Sequence, residues 1–95
     1  MKNTDEYKSE EEYEAIFAEQ IDIMNQVCRL KDGQEFCLDY AYGGVRLTKG
    51  KPHGGQSDLS VRFFYDEDGT ADYDAFMDML YAITNVLMVA KRESE

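Results

Sequence analysis

Apolar side chains recur at three- and four-residue steps through Tyr13, Ile16, Phe17, Ile21, Met24, Val27 and Cys28, with Ile23 and Leu30 widening the stripe. Glu11, Glu14, Glu19, Asp22, Gln26 and Arg29 fall on the opposite side. That period predicts an amphipathic helix over residues 10–31. Ser9 followed by Glu12 reads as a capping box, and Glu10, Glu11 and Glu12 complement the positive end of the helix dipole. Gly33 is the expected stop.

A period of two follows. Phe36, Leu38, Tyr40 and Tyr42 point one way, while Glu35, Cys37, Asp39 and Ala41 point the other. Gly43-Gly44 reads as a two-residue hairpin turn, which would pair Tyr42 with Val45 and Tyr40 with Leu47 on one apolar face. Residues 50–57 form a loop by composition, and alternation resumes at Leu59, Val61, Phe63 and Tyr65. The uncovered sheet face is expected to carry Glu35, Asp39, Arg46, Thr48, Arg62 and Phe64. Asp66 to Gly69 is a turn, and Thr70 or Asp72 caps a last helix running to about Lys91. Phe76, Met77, Met79, Leu80, Ile83, Val86, Leu87 and Val89 cover most of that helix, so it must meet more than one layer.

The order αβββα predicts an α+β fold of two layers, a three-stranded antiparallel sheet with both helices on one face. We expect one domain over residues 9–92, between a flexible tail at 1–8 and another at 93–95.

Charge changes this picture. The chain has 95 residues and a formal net charge of −10, and the excess is not spread evenly. Four Lys/Arg face nine Asp/Glu over residues 1–32, and two face eight over residues 66–95, whereas residues 33–65 carry four against three. The two acidic blocks, Asp5–Glu14 and Asp66–Asp78, repel phosphate backbones and anionic membranes and attract basic protein surfaces. Tyr7, Tyr13, Tyr65, Tyr73 and Tyr81 are interleaved with them, and tyrosine offers rigid contact area and a ring face for arginine. The candidate partner-binding set is Glu11, Glu14, Asp66, Glu67, Asp68, Asp72, Asp74 and Asp78.

Catalytic and metal motifs do not survive inspection. Gly50 and Gly55 have the spacing of a phosphate loop, but Gln56 stands where lysine is needed and the segment runs into a strand. Asp66, Asp68, Gly69 and Asp72 echo a calcium loop, yet Phe64 and Ala75 occupy its two end positions. His53 lies in a Gly/Pro loop with no neighbouring carboxylate to orient it, and Cys28 and Cys37 are two thiols where a zinc site needs four ligands. We therefore expect no enzymatic activity, no cofactor and no metal. With no signal-peptide stretch and no run long enough to span a bilayer, cytosolic residence is expected.

The αβββα order is similar to that of double-stranded-RNA-binding domains, and Lys51-Pro52-His53 resembles their loop. Asp72, Asp74 and Asp78 stand where that fold puts basic residues, which argues against nucleic acid as a direct ligand. In size, element order and acidic blocks the chain resembles the small inhibitors that phages and mobile elements direct against host defence, particularly anti-CRISPR proteins. The resemblance implies residence in a bacterial host cytosol and a Cas effector as partner, its DNA-binding groove blocked by carboxylates standing in for phosphates. Two alternatives are an immunity protein or antitoxin neutralising a basic nuclease, and a structural homodimer joined through Met79, Val86 and Val89.

Overall fold

A computed structural model describes residues 9–51, 54–65 and 71–94. Helix α1 spans Glu10–Val27, strands β1 to β4 span Glu35–Ala41, Gly44–Gly50, Gln56–Asp58 and Phe63–Phe64, and helix α2 spans Ala71–Ser94. The architecture is α+β with an antiparallel sheet, as the element order predicts. β2 lies in the middle, with β1 along one side and β3 and β4 sharing the other.

α1 begins where the cap predicts, the Ser9 hydroxyl accepting from the Glu12 backbone N–H. It ends four residues earlier than the apolar stripe suggests. Cys28 is extended and its N–H closes the last turn on the Met24 carbonyl. A single 3-10 turn at Lys31–Gly33 follows, with both Asp32 and Gly33 at positive φ. Gly33 therefore turns the chain toward β1 rather than stopping the helix.

The hairpin register differs from expectation by two residues. Tyr40 pairs with Val45 and Leu38 with Leu47, and the turn is Tyr42-Gly43, both at positive φ. The displacement is even, so the paired residues of both strands keep their predicted faces. Tyr42 leaves the apolar row and is 90% exposed. The two glycines have different jobs. Gly43 supplies the left-handed backbone, whereas Gly44 is needed for close approach, since a Cβ there would sit 2.5 Å from the Phe63 carbonyl oxygen.

The third strand is not continuous. Asp58 pairs with Thr48 and Phe63 with Val45, so four residues on one side oppose two on the other. The surplus bulges outward and leaves Leu59 and Val61 exposed, contrary to their alternation. Ser60 holds the bulge, because its hydroxyl accepts from the Leu47 N–H while the Leu59 and Ser60 amides share the Leu47 carbonyl.

Both helices cover one face, and they run parallel to each other. Tyr13 meets Tyr73 and Asp74, Gln20 meets Thr84, and Val27 to Arg29 line a groove with Leu87 and Lys91. Chain reversal explains this, since four antiparallel steps bring α2 back to the direction of α1. The core is Tyr13, Phe17, Met24, Phe36, Val45, Leu47, Tyr73, Phe76 and Leu80. Gln20, which no apolar pattern selects, is also buried, its Oε1 accepting from the Thr84 hydroxyl. Asn25 ties α1 to the outer edge of β1 by pairing with both the N–H and the carbonyl of Phe36.

Candidate functional site

Parallel packing decides where the charge goes. Both helices start at the same end of the molecule, and both start with carboxylates: Glu10, Glu11 and Glu12 in α1, Asp72 and Asp74 in α2. Carboxylates some sixty residues apart in sequence therefore meet at one pole. The link is direct, because the Tyr13 hydroxyl donates to Asp74 Oδ1 at 2.5 Å. At the opposite end Lys91 and Arg92 close α2, and Arg29 lies beside Lys91 just past the end of α1. Negative charge is thus concentrated at one end, where it complements both helix dipoles, while only α2 carries basic residues in its last turn.

Of the predicted contact residues, Glu11, Asp72 and Asp78 are exposed, and Glu14 and Asp74 are partly buried. Asp78 lies on the outer side of α2 nearly two turns in, and Asp72 stands inside the first turn rather than capping it. Asp66, Glu67 and Asp68, together with the calcium-like turn, Thr70, Pro52 and His53, lie outside the described residues. So do Asp5, Glu6 and Tyr7.

The tyrosines are not the free contact surface that their interleaving suggests. Tyr13 and Tyr73 are core residues, packed edge-to-face with centroids 5.6 Å apart, and Phe17 packs against both, tilted to Tyr13 and edge-on to Tyr73. Tyr65 is partly buried against Tyr73, and of the described tyrosines in this interleaved set Tyr81 alone is exposed. Helical spacing put the rings of Tyr13 and Tyr73 between the layers. The Tyr13 hydroxyl is what reaches a carboxylate, that of Asp74.

The cleft beside this pole is built from α1 and the hairpin. Glu10 and Glu14, one turn apart, line one wall, with Tyr40, Tyr73 and the backbone of Gly43 and Gly44 completing it. Burial, aided by Glu10 and Glu14, pushes the Tyr73 phenol up to about 12. Burial and then Glu14 move Tyr40 in the same direction. Both hydroxyls stay protonated at neutral pH.

The uncovered sheet face holds the opposite kind of arrangement. Asp39 Oδ2 accepts from Arg46 Nε at 2.7 Å and from an Arg62 nitrogen at 3.0 Å, while Arg46 also reaches Asp58 at 2.9 Å. Arg62 further donates to the Asp39 and Ala41 carbonyls and lies over the Tyr42 ring. Hydrogen bonding from Arg62 holds the Asp39 carboxyl below its ordinary range. Arg46 is neutralised within the fold by the Asp39 and Asp58 carboxylates. Thr48 is on this face yet buried, its hydroxyl donating to Gln56. Gln56 and Ser57 belong to a strand antiparallel to β2, so the glycine spacing at 50–55 joins two strands and meets no helix N-terminus.

The apolar face of α2 divides. Met79 packs against the core, whereas Val86 is 67% exposed and Val89 is exposed beside it. No described helix is long and apolar enough to cross a membrane. Among the described residues no group of three or more His, Cys, Asp or Glu could hold a metal ion. Cys28 and Cys37 are free thiols.

The Tyr13–Asp74 bond stitches the acidic pole together, and its loss is measurable. Tyr13→Phe should lower stability to urea by about 1 kcal/mol, because a charge-assisted hydrogen bond at a partly solvated site is lost while the ring stays packed. Asp78→Asn, on the open side of α2, should stay within about 0.5 kcal/mol of the parent. Comparison of the chain with protein-family models, with curated proteins and with solved structures finds no match to any of them.

Proposed function

We propose that this chain is a non-enzymatic binding protein that presents its acidic pole to a cationic surface on a nucleic-acid-binding protein and competes there with nucleic acid. One observation supports this reading above others: carboxylates of two helix starts remote in sequence converge at one end, beside the Tyr13–Asp74 contact. Capping and dipole complementation account for acidic residues in a first turn, at about 0.3–1 kcal/mol each. They do not account for Asp78, beyond the first turn of α2, or Glu14, in the second turn of α1. A dipolar molecule with this end forward is steered toward a positive groove, which raises its association rate and orients its approach.

The mechanism is steric and electrostatic. Carboxylates take the place of phosphates opposite lysine and arginine, and the body of the fold fills the groove. An anti-CRISPR role against a Cas effector is the form of this reading that the size, element order and charge favour. Neutralisation of a basic nuclease would use the same pole. Competition with labelled DNA for a purified guide-loaded Cas effector tests it. The chain should displace DNA, and a variant carrying Glu11→Gln, Glu14→Gln, Asp72→Asn and Asp78→Asn should need at least about tenfold more protein to do so. Displacement should weaken sharply as salt rises, because exposed pairs are screened. Unchanged competition by the neutralised variant, or no competition by the parent, contradicts the proposal for that target.

A second reading draws on the other end of α2. Tyr81, Ala82, Asn85, Met88, Val89 and Arg92 form an exposed, mostly apolar strip. Antiparallel pairing with a second copy centred on Asn85 would set Asp78 against Arg92, and Ala82 against Met88, so opposite charges flank a small-to-large apolar fit. Parallel pairing would instead oppose like charges. Light scattering distinguishes the outcomes. A mass of twice the 11.0 kDa chain that reverts to one chain in Val89→Glu supports the dimer, and a single-chain mass at about 100 µM removes it.

A further inference from the structure

One side of α2 belongs neither to the core nor to the acidic pole. Ala75, Met79, Ala82, Val86 and Val89 recur along it at alternating steps of four and three. That is the seven-residue repeat of a helix that packs on another helix along a narrow seam. Met79 is partly buried and the other four are exposed, Val86 at 67%. Midway along, Ala82, Ile83, Val86 and Leu87 line an apolar depression of about 210 Å³. Side chains of this kind are left in water at a cost of about 25 cal/mol per Å² of apolar surface.

The charges on the flank say what fits there. Asp78, Asn85 and Arg92 run beside the seam at seven-residue spacing, acid at one end and base at the other. Such a row complements itself when reversed. An antiparallel second copy sets Asp78 against Arg92 twice, with Asn85 beside its own equivalent at the two-fold axis. A parallel copy would instead bring the two acidic starts of α2 together. Shape agrees with charge, because the same axis places Val86 against Ala82 and Met79 against Val89, each larger side chain against a smaller one. Compared with pairing on the strip through Tyr81, Asn85 and Met88, the two helices are turned so that Val86 is covered and Met88 lies at the rim.

We propose that α2 offers this heptad seam to a second copy of the same chain, forming an antiparallel helix pair whose two-fold axis passes between Ala82 and Val86. The assignment rests on the dimer reading of α2 and names its seam. It leaves both acidic poles free. They point away from each other, the two Asp72 positions roughly 36 Å apart along the helix axes. The dimer is then a two-headed ligand, suited to a partner that presents two cationic surfaces.

Light scattering and pulsed spin-label distances on the full chain test the seam. At about 100 µM the parent should show twice the single-chain mass. Val86→Glu should return it to one chain with unchanged circular dichroism, while Met88→Glu, at the rim, should leave it doubled. Asp78→Arg should raise the dimer dissociation constant about fivefold or more, since arginine then meets arginine twice, and adding Arg92→Asp should restore it to within about twofold. With Cys28 and Cys37 replaced by serine, labels at Asn85→Cys should lie within about 20 Å of each other across the pair, and labels at Asp72→Cys roughly 35–45 Å apart. A parent that runs as a single chain at about 100 µM overturns the seam together with the dimer reading. A doubled mass indifferent to Val86→Glu, a charge reversal that rescues nothing, or a short Asp72 distance overturns the seam and leaves the dimer standing. Competition with DNA enters none of these outcomes, so the acidic pole stands or falls separately.

Discussion

Two parallel helices locked at their N-terminal ends by an aromatic knot set the terms for everything else in this fold. Phe17 lies 4.8 Å from Phe76 and 5.3 Å from Tyr73 in edge-to-face geometry, and Phe63 joins from the sheet at 5.2 Å from Phe76. Such pairs add about 0.5–1.5 kcal/mol each beyond the area they bury. The knot fixes the relative position of the helix starts, and those starts carry the negative charge. Repulsion among the carboxylates works against this arrangement. Two aligned dipole ends and the Tyr13–Asp74 bond oppose the repulsion at the same place. A dry apolar contact therefore holds a wet charged surface together.

Much of the fold was legible because periodicity reports burial. Tyr13, Phe17 and Met24 are buried as their stripe predicts, and Leu38, Tyr40, Val45 and Leu47 share the helix-covered face. The errors have particular causes. The hairpin slipped by two because both glycines looked like turn residues, whereas Gly44 lacks a side chain on account of Phe63 in a strand far along the sequence. The break between β3 and β4 depends on one serine hydroxyl binding a Leu47 amide, which no alternation of apolar and polar residues encodes. Gln20 was hidden for a similar reason, since its burial needs Thr84 sixty-four positions away.

The candidate site was legible by residue type and not by arrangement. Clustering picked out Glu11, Glu14, Asp72, Asp74 and Asp78, but their convergence depends on helix direction, which follows from the number of chain reversals. The tyrosines were misread because an aromatic beside carboxylates looks the same in sequence whether its ring is buried or exposed. Glu10 looked like a capping residue and Tyr40 like a sheet residue, so nothing marked them as neighbours across a cleft. The carboxylates at the start of α2 repel the phosphate backbone that a nucleic-acid-binding surface must attract.

A distance between the two helix starts tests the central claim. Spin labels at Glu11 and Asp72, in a background with Cys28 and Cys37 replaced by serine, should lie within about 25 Å of each other. An antiparallel arrangement would separate them by roughly the length of α2, about 36 Å for its 24 residues. A single short distance, lost on unfolding in urea, is the predicted result. A dominant distance near the longer value would contradict the merged acidic pole and every functional reading drawn from it.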